Sequence, residues 1–269
     1  MIRNPAVAGQ FYPESKTSLL REVESLIDSK AIKSDAIGVV SPHAGYVYSG
    51  SVAGSVFSSI KPKGNYVILG PNHTGLGERF GLEKGRAWKT PMADVRVNRV
   101  LADAIIDRSR NIKYDSLSHA HEHSIEVQLP FLQVLQEDFE FVPICVSYAD
   151  LDAYILTGKA IAEAIKDVKL QKDTVIVASS DMTHYEPQED ARKKDSLAIE
   201  AILALDEKTL VDRVAEMGIT MCGFAPVAIM LAAAKELGAS SARLVRYQTS
   251  GDTSGDYSSV VGYAGIIVG

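Results

Sequence analysis

The sequence predicts an α/β fold, a single-domain layered sheet with helices on both faces, and three observations carry that prediction. Short apolar runs lack the polar–apolar alternation of a half-exposed strand. Helix-like stretches separate these runs. No internal repeat and no Pro/Gly/Ser-rich linker divides residues 1–269. Unalternating β-branched runs are buried on both faces, the habit of a parallel or mixed central sheet.

Taken in order, Leu19, Leu20, Val23, Leu26 and Ile27 mark the apolar face of a first helix. Residues 36–40 and 66–69 are the first two strand runs, and Val100, Leu101, Ile105 and Ile106 mark a second helix. Residues 122–132 look helical and half-buried, and 141–146 is a third strand. A helix over 151–168 leads to a fourth strand at 174–178, then to helices over 187–205 and 222–237. Residues 243–247 and 259–268 read as two strands around a glycine-rich turn at 251–256.

Composition narrows the function classes. A hydrophobic fraction of 46% excludes disorder. A net charge of −6, with Arg192-Lys193-Lys194 as the longest basic run, argues against a nucleic-acid partner. The sequence shows no apolar stretch of about 18 residues, so no membrane span is expected. The first residues lack the apolar core of a signal peptide. The two cysteines, Cys145 and Cys222, have no CxxC spacing. A reduced, cytoplasmic setting with two free thiols is the expectation.

Chemistry-bearing residues fall at strand ends. The first run closes on Ser41-Pro42-His43-Ala44-Gly45-Tyr46, the second on Gly70-Pro71-Asn72-His73-Thr74-Gly75. The fourth closes on Ser179-Ser180-Asp181-Met182-Thr183-His184-Tyr185. Sites in open α/β sheets form outside the carboxyl ends of strands, so these three ends converge on one candidate site. Asp181 and His184, three apart, would share a face on a helical first turn; the competing reading makes Asp181 a helix N-cap. Cys222 opens the last helix, where unpaired N–H groups favour thiolate, whereas Cys145 lies in an apolar strand and reads as core.

His119, His121 and His123 form an H-x-H-x-H series. Alternate residues on a helix point apart, which makes Glu122 and His123 the pocket candidates and leaves His119 and His121 as solvated loop. The glycines at 75–81 miss the dinucleotide fingerprint, and 70–75 lacks the lysine of a phosphate loop. The Asp252/Asp256 loop lacks the terminal Glu of a calcium loop.

Several of these segments together resemble the Memo family. They are residues 3–13, Pro42-His43-Ala44-Gly45-Tyr46, Gly70-Pro71-Asn72-His73, Glu122-His123-Ser124-Ile125-Glu126, the stretch 180–185, Cys222-Gly223 and the closing 250–264. The resemblance runs nearly end to end. It implies the fold of class III extradiol dioxygenases, in which two His and a Glu hold Fe(II) and another His serves as acid/base. Carried onto this chain, it implies His43 and His73 as metal ligands, Cys222 as the third, and His184 as the acid/base group with Asp181 beside it. Tyr46, Asn72, Glu122, His123 and Tyr185 complete the implied pocket. A thiolate in place of the carboxylate shifts preference toward Cu, Zn or a softer Fe site and puts ring cleavage in question.

Three functions compete at this point. The first is a metal-dependent oxidoreductase. The second is a metal-free nucleophile, with Cys222 as thiolate, His184 as base and Asp181 as orienter. The third is a non-catalytic module that binds a peptide or phosphopeptide in the same cleft, as reported for the family's eukaryotic member. The expected ligand is a small molecule or a peptide, with a further protein partner compatible with either.

Overall fold

The computed structural model describes residues 2–269. Strand β1 (Ile2–Arg3) and helix α1 (Lys16–Leu26) lead into β2 (Gly38–Ser41), α2 (Tyr46–Ser58) and β3 (Asn65–Pro71). Next come β4 (Phe80–Leu82), β5 (Ala87–Lys89), β6 (Asp94–Val97), α3 (Arg99–Arg108) and β7 (Lys113–Tyr114). A 3-10 turn at Glu126–Gln128 runs into α4 (Leu129–Leu135), then β8 (Glu140–Val146), α5 (Leu151–Asp167) and β9 (Thr174–Ser179). The chain closes through β10 (His184–Glu186), α6 (Gln188–Leu203), α7 (Glu207–Glu216), α8 (Phe224–Glu236), β11 (Ala242–Thr249), α9 (Gly251–Ser254) and β12 (Val260–Val268).

The α/β class and the helices on both faces are as the sequence predicts. One 12-stranded mixed sheet runs through the molecule, and its central order is β8-β3-β9-β2-β12. The first four of these strands are parallel, and β12 pairs antiparallel with β2. Successive residues feed opposite faces, as strand geometry requires. Val67, Leu69, Ile176 and Ala178 enter the core under α3, α5 and α8, while Tyr66, Ile68, Val175 and Val177 enter the core under α1, α2 and α4. Side-chain caps start several helices: Ser15 for α1, Asn98 for α3, Asp150 for α5 and Asp206 for α7. No helix among the described residues is long and apolar enough to cross a membrane.

Helix α2 escaped the sequence reading because its Ser and Gly content is a weak helix signal. Packing explains it. A Cβ on Gly54 would lie 2.1 Å from the Leu26 carbonyl oxygen, so only glycine lets the end of α1 approach α2 this closely. Gly54→Ala is expected to cost about 1–3 kcal/mol, as overpacking against backbone does, read as a lowered urea midpoint at unchanged slope. An unchanged midpoint would show that the two helices are not in contact.

The turn at 251–256 differs from its expectation, since it contains the short helix α9 before the chain enters β12.

Candidate metal centre

Strand order assembles the site. β9 lies between β3 and β2 and is parallel to both, so the residues after Ser179 emerge between those after Ser41 and those after Pro71. His43, His73, Asp181 and His184 thereby line one cavity of about 610 Å³, together with His123 and Tyr185. That volume suits a small-molecule site.

The imidazole tautomers follow from the proton count. Ser179 Oγ donates its only proton to the Ser124 carbonyl at 2.6 Å. It therefore accepts from His43 Nδ1–H at 2.8 Å, alongside Gln128 Nε2–H at 2.9 Å. The lone pair of His43 is left on Nε2, which lies 3.3 Å from Cys222 Sγ. His73 Nδ1–H donates to Glu122 Oε1 at 2.9 Å, and His184 Nδ1–H donates to the Thr220 carbonyl at 2.8 Å. Each of the three rings is thus oriented through Nδ1 and offers Nε2. Metal-binding histidines are held in this way.

His43, His73 and Cys222 each present a ligand atom within 4.8 Å of the others, a spacing that one ion could bridge. Two imidazoles and a sulfur suit a transition metal, not calcium or magnesium. Burial, followed by the neighbouring His73 and His123, holds His43 well below its usual pKa, so the ring is neutral as a ligand must be. Burial alone would lower His73 too, but the hydrogen bond and charge of Glu122 outweigh it, and the net shift is upward. Glu122 in turn is drawn down to about 2: its burial is outweighed by the hydrogen bond and charge of His73 and by the N–H of Ser124. His123 stacks on His73 at 4.8 Å and 14°.

Several expectations need correction. Asp181 and His184 do not share a helical turn, because His184 belongs to β10, paired with β12. Asp181 caps no helix; its Oδ1 accepts from the His43 N–H at 2.8 Å and so ties the two loops together. Burial pushes its carboxyl up to about 6 against that hydrogen bond. Cys222 precedes the Gly223 cap of α8, yet burial and then the Asp181 charge push its thiol up instead of down. Desolvation here outweighs the helix terminus. Tyr46 is sealed in the core, its hydroxyl donating to the Val127 carbonyl at 2.7 Å, and is absent from the cavity wall. Asn72 is also outside it, since its Oδ1 accepts from Thr74 and Gly75 N–H and shapes the loop. Cys222 is half-buried with its Sγ 3.3 Å from His43 Nε2, and it is absent from the cavity wall.

His119 is the plainest reversal: it is fully buried, while His121 is exposed as expected. The His119 ring packs edge-on to Trp88 at 5.4 Å, its Nε2–H donates to the Gly81 carbonyl at 2.9 Å, and Nδ1 has no partner among the described residues. Burial holds its pKa down to about 4. An unfolded histidine takes up its proton near pH 6.5, so between that pH and about 4 the unfolded chain binds more protons. Stability is therefore lost as pH falls through that window, by up to ~3 kcal/mol, in urea titrations across pH. His119→Asn is expected to flatten that part of the profile. An unaltered profile would count against this assignment.

The sequence reading missed Phe11, which packs on His123 at 4.7 Å, and Tyr263, which lines the cavity from β12. It also missed Ser179 and Gln128. The only available signal for Ser179 was its place at the end of the fourth strand run.

Comparison with known proteins identifies the family and agrees with the fold. The family profile described as "Memo-like protein" matches residues 3–267. A MEMO1 family protein of Methanococcoides burtonii is 46% identical over 273 aligned residues, covering 99% of this chain and all of its own. One from Methanopyrus kandleri is 44% identical over 283 residues, with 99% of both chains covered. Among solved structures, an uncharacterized Escherichia coli K12 protein superposes with a TM-score of 0.60 at 13% identity. The match covers 86% of this chain and 98% of that one, a likeness of fold.

Proposed function

The chain belongs to the Memo-like family, and from that premise we propose that it is a metal-dependent oxidoreductase whose ion is held by His43, His73 and Cys222. The observation that carries this reading is the convergence of two Nδ1-anchored imidazoles, both lining an open cavity, and one sulfur within 4.8 Å of each other. Iron, copper and zinc all suit an N₂S donor set, with iron or copper required for electron transfer. A bound redox metal would supply electron-transfer or Lewis-acid chemistry at the cavity floor.

The surrounding residues divide the remaining work. His184 Nε2 faces the cavity as a proton acceptor, its ring fixed by Thr220. Asp181, whose carboxyl burial pushes up to about 6, is a second group able to hold a proton beside the cavity. His123 stays neutral, because burial lowers it, and packs as a wall on His73. The ligand in this reading is a small molecule or a side chain of a peptide, and the setting is a reducing cytoplasm. The metal-free nucleophile is disfavoured by the raised thiol of Cys222 and its absence from the cavity wall.

The test is the metal content of protein purified without chelator and after reconstitution with Fe(II), Cu(I) or Zn(II). About one equivalent is expected in the wild type, with His43→Ala and Cys222→Ser each reducing affinity by at least ~10-fold. A wild-type protein that takes up no metal in either form sinks the proposal.

A further inference from the structure

We propose that the mouth of this cavity selects an organic ammonium group, with the Asp256 carboxylate as charge partner and the rings of Tyr48 and Tyr185 as flanks. The inference rests on the reading of this cavity as the functional site, and it holds with or without a metal at the floor. Exposure separates mouth from floor. His43 and Tyr263 are each 2% exposed, whereas Tyr48 and Tyr185 are 41% and 78% exposed, yet all four line the same space.

Charge is one-sided. Among the described residues the cavity wall contains no Lys or Arg, but it contains Asp181 and Asp256 and the hydroxyls of Ser250, Ser254 and Ser259. The helix termini do not make up for this. The start of α2 opens on the cavity through Gly45, and such a terminus ordinarily attracts anions through its free N–H groups. Here several of the donors around it are already used: the His43 and Ala44 N–H groups serve Asp181, and the Tyr46 N–H donates to the Phe11 carbonyl at 2.9 Å. At α8, the Gly223 N–H is taken by Ser180 Oγ at 3.0 Å. His73 is neutralised by Glu122. At the mouth, an entering anion meets the Asp256 carboxylate and no Lys or Arg.

A cation meets the opposite. Asp256 Oδ1 accepts from the Ser258 N–H at 2.9 Å and the Ser258 hydroxyl at 2.6 Å, which holds the carboxyl below its usual range and ionised. Its Oδ2 accepts from no group among the described residues. Tyr185 is held out by its backbone. With φ at 58°, it lies in the left-handed region at the register break between His184 and Glu186 in the β10–β12 ladder. Such irregularities re-aim a side chain, and a bulky residue rarely adopts that conformation. An exposed ring presented in this way, lining the same cavity as a second tyrosine and an ionised carboxylate, supplies the π-face and the charge that attract ammonium ions.

The ammonium can come from a free amine or from a lysine side chain, and calorimetric titration separates the two. Phenethylamine, 2-phenylethanol and phenylacetate form one arm; N-acetyl-lysine methylamide and its side-chain-acetylated form make the other. Metal-loaded and chelator-treated protein are both titrated. The expected result is that at least one ammonium probe binds about 10-fold or more tightly than its uncharged or anionic counterpart. The tighter of the two ammonium probes identifies the source. Asp256→Asn is expected to remove most of that preference without altering metal content, and Tyr185→Leu to weaken the ammonium probe alone. Equal or tighter phenylacetate binding, no ammonium binding at millimolar concentration, or a preference unmoved by Asp256→Asn overturns the proposal. Failure of the metal reading is distinguishable: it shows as absent metal with the ammonium preference intact.

Discussion

Glu126→Ala is expected to destabilise the protein by about 3–5 kcal/mol, because it strands a buried guanidinium. Arg3 Nη1–H donates to Glu126 Oε2 at 2.6 Å, with side-chain exposures of 6% and 1%. The same carboxylate accepts from the Ala6 N–H at 2.7 Å, the Val7 N–H at 3.1 Å and the Tyr12 hydroxyl at 2.5 Å. The Nε–H and an Nη2–H of Arg3 donate to the carbonyls of His119 and Glu122, and its guanidinium lies 4.1 Å over the Trp88 ring. One carboxylate thus docks the N-terminal segment onto the segment that carries Glu122. Urea unfolding measures the effect. Arg3→Met with Glu126→Leu together should recover much of the loss, since the penalty comes from the unpaired charge. A loss below about 1 kcal/mol for Glu126→Ala would mean that the pair is solvated, contrary to this account.

Glu122→Ala should produce two opposed changes in metal uptake. At neutral pH, affinity falls about 10–100-fold, because His73 loses the hydrogen bond that orients its ring. The acid limb moves the other way. In the wild type, Glu122 raises the His73 pKa, so protons displace metal as pH falls through a value above the ordinary histidine range. Without Glu122, burial lowers that pKa and the acid limb shifts to lower pH. Competition against a chromophoric chelator, across pH, reads both changes. Unchanged affinity at neutral pH would exclude Glu122 as the group that orients His73. Glu122 also accepts from the His73, His123 and Ser124 N–H groups, so Glu122→Gln is the companion variant that keeps the loop's shape.

Much of this was legible along the chain. Runs such as 66–69 and 174–178 are strands because unalternating β-branched residues suit only a sheet covered on both faces. His43, His73 and His184 could be singled out because each follows a strand run, and strand ends are where α/β sheets place ligands. Other features were hidden for identifiable reasons. Helix α2 has a composition that reads as loop, and close helix packing at Gly54 accounts for it. His119 sits in a polar segment, and its burial comes from Trp88 and the β4 backbone, which are distant in sequence. Cys222 has the local position of an acidic thiol, but desolvation is a property of the packed surroundings.

Local order along the chain was sufficient for the α/β class, for one continuous sheet, and for which residues end the strands, because side-chain periodicity and turn chemistry are local properties. Folding settled the rest. The β3-β9-β2 order brings three separate strand ends into one cavity. Burial sets the ionisation of Cys222, Asp181 and His119. Proton counting through Ser179, Glu122 and Thr220 turns each imidazole so that Nε2 is offered. Desolvation and hydrogen-bond direction depend on neighbours brought from tens to more than a hundred residues away, and only the packed chain supplies those neighbours.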